Sequence, residues 1–170
     1  RNLSQVTFEV TDACNLQCKY CGYGELYDGY DTRKSKMLSL EQAYPLLEYL
    51  YAHWQQSDSY RKKTYISFYG GEPLLNMDFI RGIVGWIMNH QIPQCDFVFT
   101  MTTNGMLLDR YIDYLVEHEF KILVSLDGNK ENNGYRVDFS GRPSFDRVFA
   151  NVKLVQQYYH DFFRKNVEFN

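Results

Sequence analysis

Three of the four cysteines fall within eight residues, in the string Cys14-Asn15-Leu16-Gln17-Cys18-Lys19-Tyr20-Cys21, while Cys95 stands alone. Thiolates at this C-x3-C-x2-C spacing can converge from a single loop on a compact, soft metal centre. Three thiolates leave a fourth position unfilled, whereas structural zinc and ordinary electron-transfer clusters usually have four protein ligands. An open position marks a metal site that binds something from outside the chain. The same residues also admit a three-cysteine zinc site completed by a histidine, or plain buried thiols. His53, His90, His118 and His160 all fall within or at the ends of predicted helices. None is well placed as a fourth ligand, and zinc spacings favour two separated cysteine pairs. Cys95, without cluster partners, reads as an incidental thiol.

Two further strings carry polar groups at turns, Gly70-Gly71-Glu72-Pro73 and Ser125-Leu126-Asp127-Gly128. Taken alone, each is a bland turn sequence. Their value depends on the elements that place them. Val6 to Thr11 alternates apolar and polar residues with β-branched and aromatic side chains, a strand that breaks at Asp12 and puts the cysteines on the loop after it. A Gly- and Tyr-rich stretch follows, containing Gly22, Gly24 and Gly29. Ser39 and Gln42 then form a capping box for a helix carrying Leu40, Ala43, Leu47, Leu50 and Trp54. Pro45 lies past the first turn, so a bend or a later start is expected.

Strand and helix continue to alternate. Thr64 to Tyr69 is a strand followed by a helix over about Met77 to His90, with Arg61-Lys62-Lys63 a solvated turn before the strand. Phe97 to Thr102 is the third strand, followed by a helix over Asp109 to Glu119 with Tyr111, Ile112, Leu115 and Val116 on its apolar side. Ile122 to Leu126 is the fourth strand. A polar loop leads from it to a helix near Ser144 with core positions Phe145, Val148, Val152 and Val155, and Val167 to Phe169 begins a fifth strand. This rhythm predicts an α/β fold with a parallel sheet, either open and doubly wound or curling toward a barrel. An eight-unit barrel takes about 250 residues, roughly 31 per unit, so 170 residues hold four to five units and cannot close one. The cysteines, the Gly-Gly-Glu-Pro string and the Ser-Leu-Asp-Gly string all fall at the C-terminal ends of strands, where such folds place their ligands.

Composition narrows the function classes. With 45% hydrophobic and 23% charged residues, the chain is globular rather than disordered. Its longest apolar run, Gly82 to Met88, is far short of the roughly 18 to 20 residues of a membrane span. A net charge of −3 with scattered Lys and Arg argues against a nucleic-acid surface and for a small-molecule, peptide or protein substrate. A tight cysteine cluster without a secretory signal suggests a reducing compartment, the cytoplasm, and no disulfide framework.

Taken together, Cys-x3-Cys-x2-Cys after a first strand, Gly-Gly-Glu-Pro after a second and Ser-Leu-Asp-Gly at a fourth resemble the radical S-adenosylmethionine (radical SAM) superfamily. The string Phe68-Tyr69-Gly70-Gly71-Glu72-Pro73-Leu74-Leu75, Thr102-Thr103-Asn104-Gly105, the aromatic Tyr20 before the last cysteine and the segment from Arg136 to Arg147 are most similar to anaerobic sulfatase-maturating enzymes and related SPASM-type peptide maturases. The resemblance implies the N-terminal four to five units of a partial (β/α)6 TIM-like barrel, with residues 1–170 the first portion of a radical SAM core. It also implies a [4Fe-4S] cluster on Cys14, Cys18 and Cys21, with S-adenosylmethionine chelating the open iron.

The activity implied is reductive cleavage of S-adenosylmethionine to a 5′-deoxyadenosyl radical, which abstracts hydrogen from a peptide or protein side chain. A reductant such as flavodoxin or ferredoxin supplies the electron. By the same resemblance, Gly70, Gly71 and Glu72 face the methionyl ammonium and Tyr20 the adenine side. Ser125 binds the cofactor, and Arg136 reaches its carboxylate or ribose. Relatives often have proline and a His-Asp pair after Ser-Leu-Asp-Gly, where this chain has Asn129 and Asn132-Asn133. The rival readings are an iron–sulfur electron carrier or redox sensor, and a cofactor-binding scaffold without turnover.

Overall fold

The computed structural model describes residues 3–22, 33–56, 62–93 and 95–170. Gly24 and Gly29 of the glycine-rich stretch, and Arg61, lie outside them. Five strands, β1 (Gln5–Thr11), β2 (Lys62–Gly70), β3 (Cys95–Thr103), β4 (Lys121–Val124) and β5 (Val167–Phe169), form one sheet in the order β1-β2-β3-β4-β5. Every neighbouring pair is parallel. Helices α1 (Leu40–Gln55), α2 (Met77–Asn89), α3 (Leu108–Glu117) and the pair α4 (Phe145–Tyr158) and α5 (His160–Asn166) fill the crossovers. A sheet whose strands follow chain order has no switch point. With right-handed crossovers all its helices pack on one face, as in a barrel and unlike a doubly wound sheet.

Burial bears this out. In β1, Val6, Phe8 and Val10 are buried while Gln5, Thr7 and Glu9 are exposed. Beneath the sheet an aromatic seam runs from Phe79 through Phe8 and Phe68 to Phe120 and Phe99, with ring centroids 5.4 to 6.2 Å apart. Such pairs add about 0.5–1.5 kcal/mol each beyond their buried area. The opposite face is polar, with Gln5 Nε2 donating to Ser67 Oγ at 2.9 Å and the Ser67 and Thr100 hydroxyls 2.7 Å apart.

Element boundaries depart from the sequence expectation where pairing overrides composition. Lys62 and Lys63 are not a turn: they extend β2 by pairing with Cys95 and Asp96, which places Cys95 inside β3. β4 ends at Val124, before Ser125, and α5 is a separate helix. The capping box forms as expected, with Gln42 N donating to Ser39 Oγ and Ser39 N donating to Gln42 Oε1. α1 starts at Leu40 with Pro45 inside it, so the later start is not found.

Candidate functional site

The cysteine loop leaves β1 and is held at both ends by backbone contacts. Gly71 N donates to Thr11 O and Glu72 N to Ala13 O, each at 2.8 Å. Gln17 N donates to Val137 O at 2.8 Å and Lys19 N to Tyr135 O at 3.0 Å. Leu16, 1% exposed, anchors the loop from below. The two glycines are what allow the first contact. A Cβ on Gly71 would lie 2.1 Å from Ala13 O, and one on Gly70, where φ is +135°, 2.2 Å from Thr11 O. Only glycine satisfies both demands, so the Gly-Gly pair fixes where the cysteines sit.

Cys14, Cys18 and Cys21 line a single cavity of about 510 Å³, together with Tyr20, Gly70, Gly71, Ser125 and Arg136. All three thiols are half-buried. Among the described residues no set of three His, Cys, Asp or Glu side chains is arranged to hold a single metal ion. Burial pushes the Cys14 and Cys18 thiols up, so loading a metal here releases protons.

Donors surround the sulfurs. Leu16 N approaches Cys14 Sγ at 3.4 Å and Asn104 Nδ2 at 3.6 Å, while Arg33 Nη2 donates to Cys21 Sγ at 2.8 Å. Hydrogen bonds of this kind to ligating sulfur tune a cluster's potential. In the sequence Asn104 is a candidate at this edge that turn formation also explains, and nothing singles out Arg33.

Glu72 is positioned differently from the expectation. It is fully buried and does not line the cavity. Its Oε1 accepts from Thr103 Oγ1 at 2.7 Å and Leu74 N at 3.1 Å, and its Oε2 from Asn104 N at 2.7 Å. Burial pushes its carboxyl up to about 7 against the pull of those donors. Glu72 therefore ties the end of β2 to the end of β3 from behind the cavity wall.

On the far side, Arg136 donates from Nε and Nη2 to the two Asp127 oxygens, at 3.0 Å each, and Tyr20 Oη donates to Asp127 Oδ2 at 2.6 Å. Burial disfavours the Asp127 carboxylate, and the bonds from Arg136 and Tyr20 outweigh it, leaving its pKa below the ordinary range. Ser125 N donates to Thr103 O at 2.9 Å, fixing that serine beside the cavity. In the sequence Asp127 is a candidate at this edge that turn formation also explains. Its distant partner Tyr20, more than 100 positions earlier, left no local signal.

Residues 8–164 match the radical SAM superfamily. The chain belongs to that superfamily. Radical SAM proteins use a [4Fe-4S] cluster and S-adenosylmethionine. Among its relatives are the cysteine-type anaerobic sulfatase-maturating enzymes of Clostridium novyi (strain NT), 25% identical, and Clostridium perfringens (strain 13 / Type A), 27% identical. The matches cover 93% and 99% of this radical SAM chain but only 41% and 43% of those relatives. The structure of native anSMEcpe with bound AdoMet superposes with a TM-score of 0.74 at 26% identity, covering 98% of this chain and 42% of that one. The same protein with bound AdoMet and Kp18Cys peptide gives 0.72 at 25% identity, with the same coverage. Among the described residues no helix is long and apolar enough to cross a membrane.

Proposed function

We propose that this chain is the cofactor-binding part of a radical SAM enzyme that acts on a peptide or protein side chain. Cys14, Cys18 and Cys21 hold a [4Fe-4S] cluster and leave one iron open to S-adenosylmethionine. The observation that carries this reading is the single cavity that the three thiols share with Gly70, Gly71, Ser125 and Arg136 at the C-terminal edge of the sheet. When bound, the cluster and S-adenosylmethionine supply reductive cleavage and a 5′-deoxyadenosyl radical for hydrogen abstraction. A one-electron donor such as flavodoxin or ferredoxin would supply the electron.

The chain's own residues bind and orient. Arg136 offers a cation to the methionyl carboxylate. Ser125 adds a hydroxyl, and Tyr20 offers a ring on the adenine side. The Gly70-Gly71 backbone borders the pocket near the ammonium. Glu72 holds the Asn104 turn against Cys14 from behind that wall. The peptide substrate is supported by the sulfatase-maturating relatives and by the peptide bound to anSMEcpe.

Anaerobic reconstitution tests the reading. The expected product is one [4Fe-4S] cluster whose electron paramagnetic resonance signal changes when S-adenosylmethionine is added, with 5′-deoxyadenosine formed under reduction by the protein carrying this domain. A signal unchanged at saturating S-adenosylmethionine would favour the electron carrier. A changed signal with no 5′-deoxyadenosine would favour the scaffold. For the substrate, deuterium transfer from a labelled peptide into 5′-deoxyadenosine is the decisive measurement.

A further inference from the structure

We propose that Asp127 is a positioning residue that, braced by the Tyr20 hydroxyl, holds Arg136 ready for the carboxylate end of S-adenosylmethionine. The inference rests on the assignment of Arg136 to that cofactor above. Two segments far apart in sequence meet on this one carboxylate: the cysteine loop through Tyr20, and the loop after β4 through Asp127 itself and Arg136 nine residues later. Asp127 Oδ2 takes both the Tyr20 hydroxyl and Arg136 Nε, and Oδ1 takes Arg136 Nη2. The guanidinium carbon lies 5.3 Å from the centre of the Tyr20 ring. The Arg136 side chain is only 12% exposed, against 32% for Asp127.

This geometry leaves a specific vacancy. With Nε and Nη2 committed to Asp127, Nη1 is the one guanidinium nitrogen without a protein partner among the described residues, on a side chain that lines the cavity. An arginine fixed in this way spends no rotamer freedom when an anion arrives, whereas a free one would. The clamp is itself anchored. Asp127 N donates to Oδ1 of Asn133, which is fully buried. Arg136 N donates to Asn133 O at 3.0 Å, and Ser144 N donates to Arg136 O at 2.8 Å. One asparagine thus sets the backbone positions of both partners.

The opposite role has the same contacts and the opposite sign. If Asp127 instead competed with the ligand's carboxylate for Arg136, removing its charge would tighten binding. The experiment measures dissociation constants of S-adenosylmethionine and of 5′-methylthioadenosine, which lacks the carboxylate, by anaerobic equilibrium dialysis. It uses the reconstituted protein and its Asp127→Asn, Tyr20→Phe, Arg136→Ala and Asp127→Asn/Arg136→Ala variants, with iron content and thermal melting recorded alongside.

Asp127→Asn is expected to weaken S-adenosylmethionine about three- to tenfold, the cost of ordering one long side chain on binding, and to leave 5′-methylthioadenosine unchanged. Tyr20→Phe weakens S-adenosylmethionine in the same direction. The double variant is expected to bind no more weakly than Arg136→Ala alone, because the clamp acts only through the arginine. Tighter S-adenosylmethionine binding in Asp127→Asn, or equal weakening of both ligands, would overturn the proposal. Weakening by Arg136→Ala with none from Asp127→Asn sinks the clamp alone. An Arg136→Ala variant that binds S-adenosylmethionine normally sinks the cofactor assignment of Arg136 and the clamp with it.

Discussion

Glu72→Gln should remove a component of pH-dependent stability that runs against the usual carboxylate behaviour. An Asp or Glu paired in the folded state has a depressed pKa and stabilises more as pH rises. Glu72 is held by neutral donors, is fully buried, and titrates at about 7 instead of 4.5. Between those values the folded chain keeps a proton that the unfolded chain has released. Glu72 therefore stabilises fully below pH 4.5, and that contribution is lost as pH rises through 7.

At 1.36 kcal/mol per pKa unit, the whole window is worth about 3 kcal/mol, and about 2–3 kcal/mol of it falls between pH 5 and pH 8. Glutamine keeps the shape and removes the titration. Like the protonated carboxyl at pH 5, the amide presents one acceptor oxygen and one donor group to Thr103 Oγ1, Leu74 N and Asn104 N, so the two proteins differ chiefly in titration. Urea unfolding of wild type and Glu72→Gln at pH 5 and 8, followed by circular dichroism without metal, reads the difference. The wild type should lose about 2–3 kcal/mol more than the variant between the two pH values. Equal pH dependence in the two proteins would refute the buried-carboxyl argument.

Cys14→Ala, Cys18→Ala and Cys21→Ala should each abolish cluster assembly while Cys95→Ala retains full iron, as measured by iron and sulfide content after anaerobic reconstitution. Gly71→Ala, which puts a methyl 2.1 Å from Ala13 O, should cost about 2–3 kcal/mol in urea unfolding and impair iron loading by displacing the cysteine loop. Asn133→Ala orphans the Asp127 amide and should cost about 2 kcal/mol by the same assay. Arg33→Ala removes both a positive charge and an N–H donor from Cys21 Sγ. It should shift the cluster's midpoint potential to more negative values in potentiometric titration; an unchanged potential would show that this contact does not tune the centre.

The sequence by itself determined the alternation of strands and helices, the capped start at Ser39 and the three thiols on the loop after β1, because these depend on neighbours in the chain: residue periodicity, local capping and close cysteine spacing. It also carried the family, since three short strings at three strand ends are local patterns. Its periodicity left open whether the sheet was doubly wound or barrel-like, and only the resemblance pointed to a partial barrel, because strand order depends on which edges meet, and no residue type encodes that by itself. Only the tertiary structure put β1 to β5 side by side in chain order. It alone turned Glu72 away from the cavity into the Thr103–Asn104 turn, and it alone brought Tyr20, Asp127 and Arg136 onto one hydrogen-bonded carboxylate. The physical reason is the same in each case. A buried carboxylate takes whichever donors the packed sheet brings within about 3 Å, and Thr103 and Asn104 for Glu72, like Tyr20 for Asp127, come from distant segments whose approach is fixed by the fold rather than by their neighbours in sequence.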